Sequence, residues 1–427
     1  MKTIRIIGAG LSGCEAAYYL LKKGYFVELY EIKTIKKNPI QHYDYFCELA
    51  YSDSFRSTDL NTSVGTLKKE LELLDSLIIK AAKYASINQN NELVVNRIEF
   101  SKYITNYLKT FNNLKIIEQE YLNIDLNIPT IIAIGPISTP NFLTNLKKLI
   151  NKENLKLFDT VEPTILKQSI NMDICYSLDN NLNYLYCDLN KEQFEKFYNA
   201  LISAKTFNSP LKNEIKLLEK NNYFSIESLA KNKQEFINHF KPINNNAYIT
   251  ITLKKDSVIN NLYTVVNFQT SLMWNEQLKV FSLIPGLENL KIMRYGVMHK
   301  NNYINTKKLL NLGVQLKTNK NIFFAGQIIG VDGYVESVYS GLISAINLDR
   351  YLNNKKMILP NKNSTIGSLY NYLLKTDSNF SPMRINWALV DMIDGFELSD
   401  NSKKFYSKRA IKLIKQYLKR LTLKVVL

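Results

Sequence analysis

The sequence predicts an α/β protein: a parallel, nucleotide-binding sheet assembled from both ends of the chain and interrupted by an inserted α+β domain. Three observations predict it. Residues 3–30 read as strand, glycine-rich turn, helix and strand, with Gly8-Ala9-Gly10-Leu11-Ser12-Gly13 at the turn. Far along the chain, a second buried strand pattern at 321–325 runs into the glycine-lined GQIIGVDG and a new helix pattern. Between them, residues 155–284 change character, with short strand patterns and the helical KEQFEKFYNALISAKTF. The expected division is 1–154, 155–284 and 285–427, the first and last segments forming one domain.

Each element follows from its pattern. The apolar run at 3–8 is a strand, 11–23 a helix stopped by Gly24, and 25–30 a second strand, parallel to the first because a helix crosses between them. Leu67, Leu71, Leu74, Leu77 and Ile78 recur at helical spacing, so one amphipathic helix is expected across 61–84, and another at 102–111. PTIIAIG at 129–135 is a short buried strand. Strands at 247–253 and 263–268 belong to the insertion, and a helix at 334–351 follows the second glycine-rich loop. The tail from Lys403 to Leu427 is a basic helix without an acidic residue, read first as a solvated face and second as an RNA-binding arm.

Composition sets outer bounds. The 427 residues carry 55 Lys and Arg against 38 Asp and Glu, a formal charge of +17, and 46% hydrophobic content excludes wholesale disorder and fibrous repeats. The charge is mostly lysine in Asn- and Ile-rich runs, so it steers polyanions without specifying one. No apolar run approaches the roughly 20 residues that cross a bilayer, and MKTIRIIGAG lacks the pattern of a secretory signal, so no membrane partner is expected and the cytoplasm is the expected compartment. Cys14, Cys47, Cys175 and Cys187 form no CxxC pair and are expected to be reduced thiols. The three histidines, His42, His239 and His299, are too scattered for a metal site, and none is expected.

The glycine motif carries the chemistry. Gly8 permits the tight turn, Gly10 lets a pyrophosphate approach the backbone, and Gly13 lets helix and strand pack closely. The helix N-terminus then offers free N–H groups and its positive dipole end to the phosphates. Glu31, at the end of the second strand, is placed to accept from ribose hydroxyls. FAD and NAD share this fingerprint. The second strand end at Gly326, with a helix starting near Tyr334, favours FAD, because that helix end can stabilise negative charge on a reduced flavin.

Several segments together resemble the folate- and FAD-dependent RNA uracil-5-methyltransferases, the TrmFO family, itself similar to the larger GidA-type tRNA-modifying flavoproteins. The matching segments are IIGAGLSGCEAAYYLLKKG, FCELAYSDSFRSTDLNTSVGTLKKELELLDSLIIKAA, PTIIAIGP, FQTSLMWNEQLKVFSLIPGLENLKIMRYGVMHKN, FFAGQIIGVDGYVESVYSGLISAIN and SPMRINWALV, in family order. The resemblance implies a glutathione-reductase-like, Rossmann-type FAD domain with an inserted domain. It also implies reduction of FAD by NADH or NADPH, and transfer of a one-carbon unit from methylenetetrahydrofolate to uracil in tRNA or ribosomal RNA. By position, Gly8, Gly10, Gly13, Glu31, Gly326 and Asp332 are implied to shape the FAD site, and Arg294, His299 and Tyr334 to lie near the flavin and folate pocket.

One departure stands out. Where the family pattern reads Glu-Leu-Val-Cys-Ser-Asn-Ser, this chain reads Glu48-Leu49-Ala50-Tyr51-Ser52-Asp53-Ser54; the family's second cysteine aligns with Tyr223, and no cysteine follows Cys187. A thiolate adds to uracil carbon 6 and makes carbon 5 nucleophilic; a phenol with a pKa near 10 ionises far less at neutral pH than a thiol near 8.5. Cys47 lies four residues before Tyr51 and would share its face on a helix, as a substitute thiol. The expected function is therefore an FAD-dependent oxidoreductase that oxidises NAD(P)H, acts on small molecules including methylenetetrahydrofolate, and has lost RNA methyl transfer. The alternative is a uracil-5-methyltransferase with a non-standard nucleophile.

Overall fold

The structure is a computed structural model that describes residues 2–37, 41–49, 53–89, 91–136, 138–178, 182–207, 224–255, 261–375, 382–396 and 398–422. The chain divides into two compact units, Met1–Leu157 with Asn301–Leu427, and Phe158–Lys300.

In the first unit a five-stranded parallel sheet runs β15-β7-β1-β2-β6, from β1 (Thr3–Ile7), β2 (Phe26–Tyr30), β6 (Leu114–Ile117), β7 (Thr130–Ile132) and β15 (Ile322–Phe324). Strands this buried are continuous apolar runs, because helices cover both faces of a parallel sheet. Helix α1 (Leu11–Lys22) leaves β1 through the glycine turn and packs along the Tyr334–Leu352 helix. Their close approach is set by Gly341, where a Cβ would stand 2.1 Å from the Ser12 carbonyl oxygen. A small antiparallel sheet joins β3 (Ser54–Ser57), β5 (Glu92–Val95) and β4 (Ser86–Gln89).

The helix expected across 61–84 is two helices, α2 (Ser63–Leu73) and α3 (Leu77–Tyr84). Asp75 takes a left-handed φ of 66°, and the Ser76 side chain caps the new helix by accepting from the Ile79 amide. Leucine spacing continues across the break, so periodicity alone does not reveal it; the cap does. Helix α4 (Arg97–Lys109) starts before the expected 102 because Asn96 caps it, accepting from the Ile98 and Glu99 amides.

The second unit is an antiparallel sheet, β10-β11-β12-β9-β13, made of β9 (Thr164–Leu166), β10 (Tyr184–Leu189), β11 (Ile249–Lys255), β12 (Leu262–Val265) and β13 (Ile292–Arg294). Its core is aromatic, with Phe194, Phe197, Phe236, Phe240, Phe268 and Phe281 all buried. The unit ends at 300, later than the 284 expected, because β13 pairs with β9 and Leu287 and Leu290 bury in the same core. The chain passes between the units along β8 (Leu155–Val161) and β14 (Val297–Ile304), which pair with each other.

Candidate functional site

The glycine turn is built by three contacts that leave one opening. Gly8 holds a φ of +102° and donates its amide to the Tyr30 carbonyl at 2.9 Å; a Cβ there would meet the Ala133 carbonyl oxygen at 2.8 Å. A Cβ on Gly13 would meet the Gly8 carbonyl oxygen at 1.9 Å, so only glycine lets the helix lie this close to the strand. A Cβ on Gly10 would meet nothing within 4 Å. Gly10 is the N-cap of α1 and has no side-chain hydrogen bond to satisfy the first helical amides. A helix start with uncapped amides beside such an opening is what a pyrophosphate requires.

Glu31 ties this turn to the end of β2. One carboxylate oxygen accepts from the Ala9 amide at 2.8 Å, and the other from the Ile32 and Lys33 amides, both at 2.9 Å. Each oxygen has two acceptor sites, so Oε2 keeps one for a further donor.

A segment whose contacts no motif announces lies against the turn. Lys33 and Glu48, each 3% exposed, pair at 3.2 Å, and Glu48 also accepts from the His42 amide at 2.6 Å. The Cys47 amide donates to the Ala9 carbonyl at 3.0 Å, which seats residues 41–49 on the nucleotide turn. A Lys and a Glu fifteen positions apart in a polar stretch give no sequence signal; their burial creates the pair. Cys47 itself is not on a helix. It takes a φ of 54° in a turn, buried to 1% exposure, so the expected sharing of a helix face with residue 51 does not occur. Tyr51 and Tyr223 lie outside the described residues.

The four thiols are all buried. Cys14 donates to the Ala9 carbonyl at 3.3 Å, and burial followed by the neighbouring Cys47 thiol pushes its pKa well up. The Cys175 and Cys187 sulfurs lie 2.9 Å apart in the second unit's core, and contact with Cys175, then burial, raises the Cys187 pKa. Burial of this kind keeps a thiol protonated and unreactive.

The second strand end converges on the first. After β15, Gly326 has a φ of +83°, and its amide donates to the Ser340 hydroxyl at 2.6 Å. Asp332 receives a bidentate pair from Arg384, at 2.7 and 3.3 Å, and donates its amide to the Met383 carbonyl at 3.0 Å. The late segment at 382–390 is thereby fastened to the glycine-rich loop. Gly333, with a φ of +122°, precedes Tyr334 at the start of its helix. Within the first turn, the fully buried Glu336 takes Arg56 Nη2 at 2.5 Å and the Ile385 amide at 3.1 Å. Lys68, also buried, donates to the Phe55 carbonyl at 2.7 Å; desolvation, then Arg56, lowers its pKa to about 7.

In the second unit, Arg294 donates from Nη2 to the Glu162 carbonyl at 3.2 Å, while its Nε is buried without a partner among the described residues. Trp274 stacks on Tyr295 with centroids 5.2 Å apart, and buried Gln277 clamps Gly296 from both sides, accepting from its amide at 2.9 Å and donating to its carbonyl at 2.8 Å. Gln277 thus joins the segments holding Trp274 and Arg294. His299 lies in β14. Gly8, Gly10, Gly13, Glu31, Gly326, Asp332 and Tyr334 fall in the first unit, Arg294 and His299 in the second.

The family model of glucose inhibited division protein A matches residues 3–356. A Mycoplasma capricolum protein described as methylenetetrahydrofolate–tRNA-(uracil-5-)-methyltransferase TrmFO 2 is 97% identical over 99% of this chain and 100% of its own length. The chain belongs to the TrmFO family. A Mycoplasma mycoides protein, TrmFO 1 of the same description, is 96% identical over 99% of this chain and 100% of its own. Among solved structures, Aquifex aeolicus GidA covers 99% of this chain and 74% of its own with a TM-score of 0.54 at 15% identity, a likeness of fold. For a TrmFO-family chain, the two glycine-rich strand ends fall within the matched stretch, while the helix at Lys403–Thr422 falls outside it.

Proposed function

We propose that this chain is an FAD- and methylenetetrahydrofolate-dependent enzyme whose reaction is methyl transfer to carbon 5 of a uracil in RNA. The relatives' names favour that reading over the simpler NAD(P)H oxidoreductase expected from the sequence. The observation that carries the cofactor is the opening at Gly10 beside uncapped amides at the start of α1. FAD, when bound, would supply the redox and one-carbon chemistry, reduced by NADH or NADPH.

The chain's own residues would do the following. Gly10 and the first amides of α1 bind the pyrophosphate, and Glu31 offers its remaining acceptor site to a ribose hydroxyl. The helix start at Tyr334 lends positive potential to the flavin, with the Glu336 charge balanced by Arg56. In the second unit, the stacked Trp274 and Tyr295 offer a flat aromatic face suited to a pteridine or base, and Arg294 holds an unused donor. His299 is proposed for the same pocket by position.

A second reading has its own observation. By the resemblance Tyr51 and Tyr223 align with the family cysteines, and all four thiols are buried, which together favour an NAD(P)H oxidoreductase that no longer methylates RNA. The deciding experiment is anaerobic reduction of the holoenzyme, followed by separate additions of oxygen, methylenetetrahydrofolate and uridine-containing RNA. Formation of 5-methyluridine upholds the first reading. Brisk NAD(P)H oxidation without it upholds the second.

A further inference from the structure

The Lys403–Thr422 helix is fixed by one face only. Tyr406, Ser407, Ala410, Ile414 and Tyr417 are buried, Ser407 accepts from the Thr66 hydroxyl at 2.8 Å, and Tyr406 donates to the Phe396 carbonyl at 2.9 Å. The opposite face exposes Lys404, Lys408, Lys412, Lys415 and Lys419. These stand three or four positions apart, on one side of the helix over about 22 Å at 1.5 Å per residue. Lys408, Lys412, Lys415 and Lys419, with Ile411 and Gln416, line an open groove.

What sets the stripe apart is that its lysines share one face of a helix that carries no carboxylate of its own. On other helices some exposed lysines meet carboxylates: Lys22 and Lys80 share Asp75, Lys69 and Lys83 share Glu72, and Lys196 meets Glu192. Among the described residues, none of the five stripe lysines has a carboxylate partner; Lys404 only lies over the Phe405 ring. The helix holds eight basic residues and no acidic one. At the chain's ratio of 55 basic to 38 acidic residues, about three of eight charged positions would be acidic, so base composition does not account for it. Successive lysines at these spacings repel one another and destabilise the helix. A ligand with a regular row of negative charges removes that repulsion.

We infer that the exposed face of the Lys403–Thr422 helix is a docking surface for the phosphodiester backbone of RNA. The choice of RNA rests on the proposed function; the requirement for a polyanion does not. A membrane fits less well, because among the described residues the helix's apolar face is buried against the protein and is not offered to lipids. The lysines give no base readout, so the surface positions RNA and leaves selection of the uracil to the site.

The test is fluorescence-anisotropy binding of the full-length holoprotein to unfractionated tRNA and to poly(U), across a salt series. It compares wild type with Lys408→Gln/Lys412→Gln/Lys415→Gln and with a control of equal charge change in the same unit, Lys102→Gln/Lys109→Gln/Lys148→Gln. Gln and Lys have similar helix propensity, so the stripe variant should keep wild-type circular dichroism and flavin content. The stripe variant is expected to bind RNA roughly 10- to 100-fold more weakly, with the slope of log K against log salt smaller by about two. The control should change little. Equal losses in both variants, no RNA binding by wild type, or binding to phosphatidylserine vesicles but not RNA would each overturn the inference. Absence of 5-methyluridine with the binding difference intact would overturn the proposed reaction and leave this surface standing.

Discussion

Ser12 and Gly326, from opposite ends of the chain, meet at the nucleotide turn: a Cβ on Gly326 would stand 2.5 Å from the Ser12 hydroxyl oxygen. The second strand end can reach the first only because neither residue carries bulk there. The two ends of the first unit therefore meet at one turn, and the proposed roles of its glycines can be tested separately.

Gly10→Val is expected to abolish flavin retention with little change in melting temperature, since its side chain enters the open space at the helix start. Gly13→Ala is expected to lower stability by about 1–3 kcal/mol as well, because its Cβ collides with the Gly8 carbonyl. Flavin absorbance after gel filtration and thermal melts of both variants check the contrast. Full flavin occupancy in Gly10→Val would remove the turn from the site.

Glu70 is fully buried and accepts from the Thr365 amide at 2.9 Å; burial raises its pKa to about 8, and burial likewise takes Glu15 to about 7. Between the ordinary carboxylate range and these values the folded chain binds more protons than the unfolded chain, so stability falls as pH rises through that window. Glu70→Gln should remove part of that slope. Melting temperatures of wild type and variant should diverge from pH 5 to pH 8, with the variant gaining.

Lys68 works with the opposite sign. Its folded pKa of about 7 lies below the ordinary value near 10.4, so the unfolded chain binds more protons between the two and stability rises with pH there. Lys68→Met should therefore be relatively most favourable near pH 7, with the advantage shrinking toward pH 10. A pH-independent difference would mean that the fold does not lower the Lys68 pKa.

The folded chain should give no fast reaction with a disulfide-exchange reagent, and four equivalents in denaturant, because all four cysteines are buried. One rapidly reacting thiol lost in Cys47→Ala would restore Cys47 as a nucleophile.

Under brisk NAD(P)H oxidation, the second reading expects no 5-methyluridine and no covalent adduct with 5-fluorouridine RNA, since loss of a nucleophile costs many powers of ten in rate. Methylation in wild type that persists in Cys175→Ala and disappears in Cys47→Ala would establish the methyltransferase with a relocated thiol.

The sequence by itself determined the parallel sheet, the glycine turn and its partner strand, because these depend on local patterns: apolar runs, glycine spacing and the switch from strand to helix period. Its expected insertion ends at 284, whereas the second compact unit runs to Lys300, since the pairing of Ile292–Arg294 with Thr164–Leu166 is a long-range contact that no local pattern announces. Tertiary structure alone decided the break at Asp75, the Lys33–Glu48 and Arg56–Glu336 pairs and the turn that buries Cys47. Periodicity reports which face of an element is apolar. Which distant charge comes to rest beside it, and whether water is excluded there, depends on packing of the whole unit.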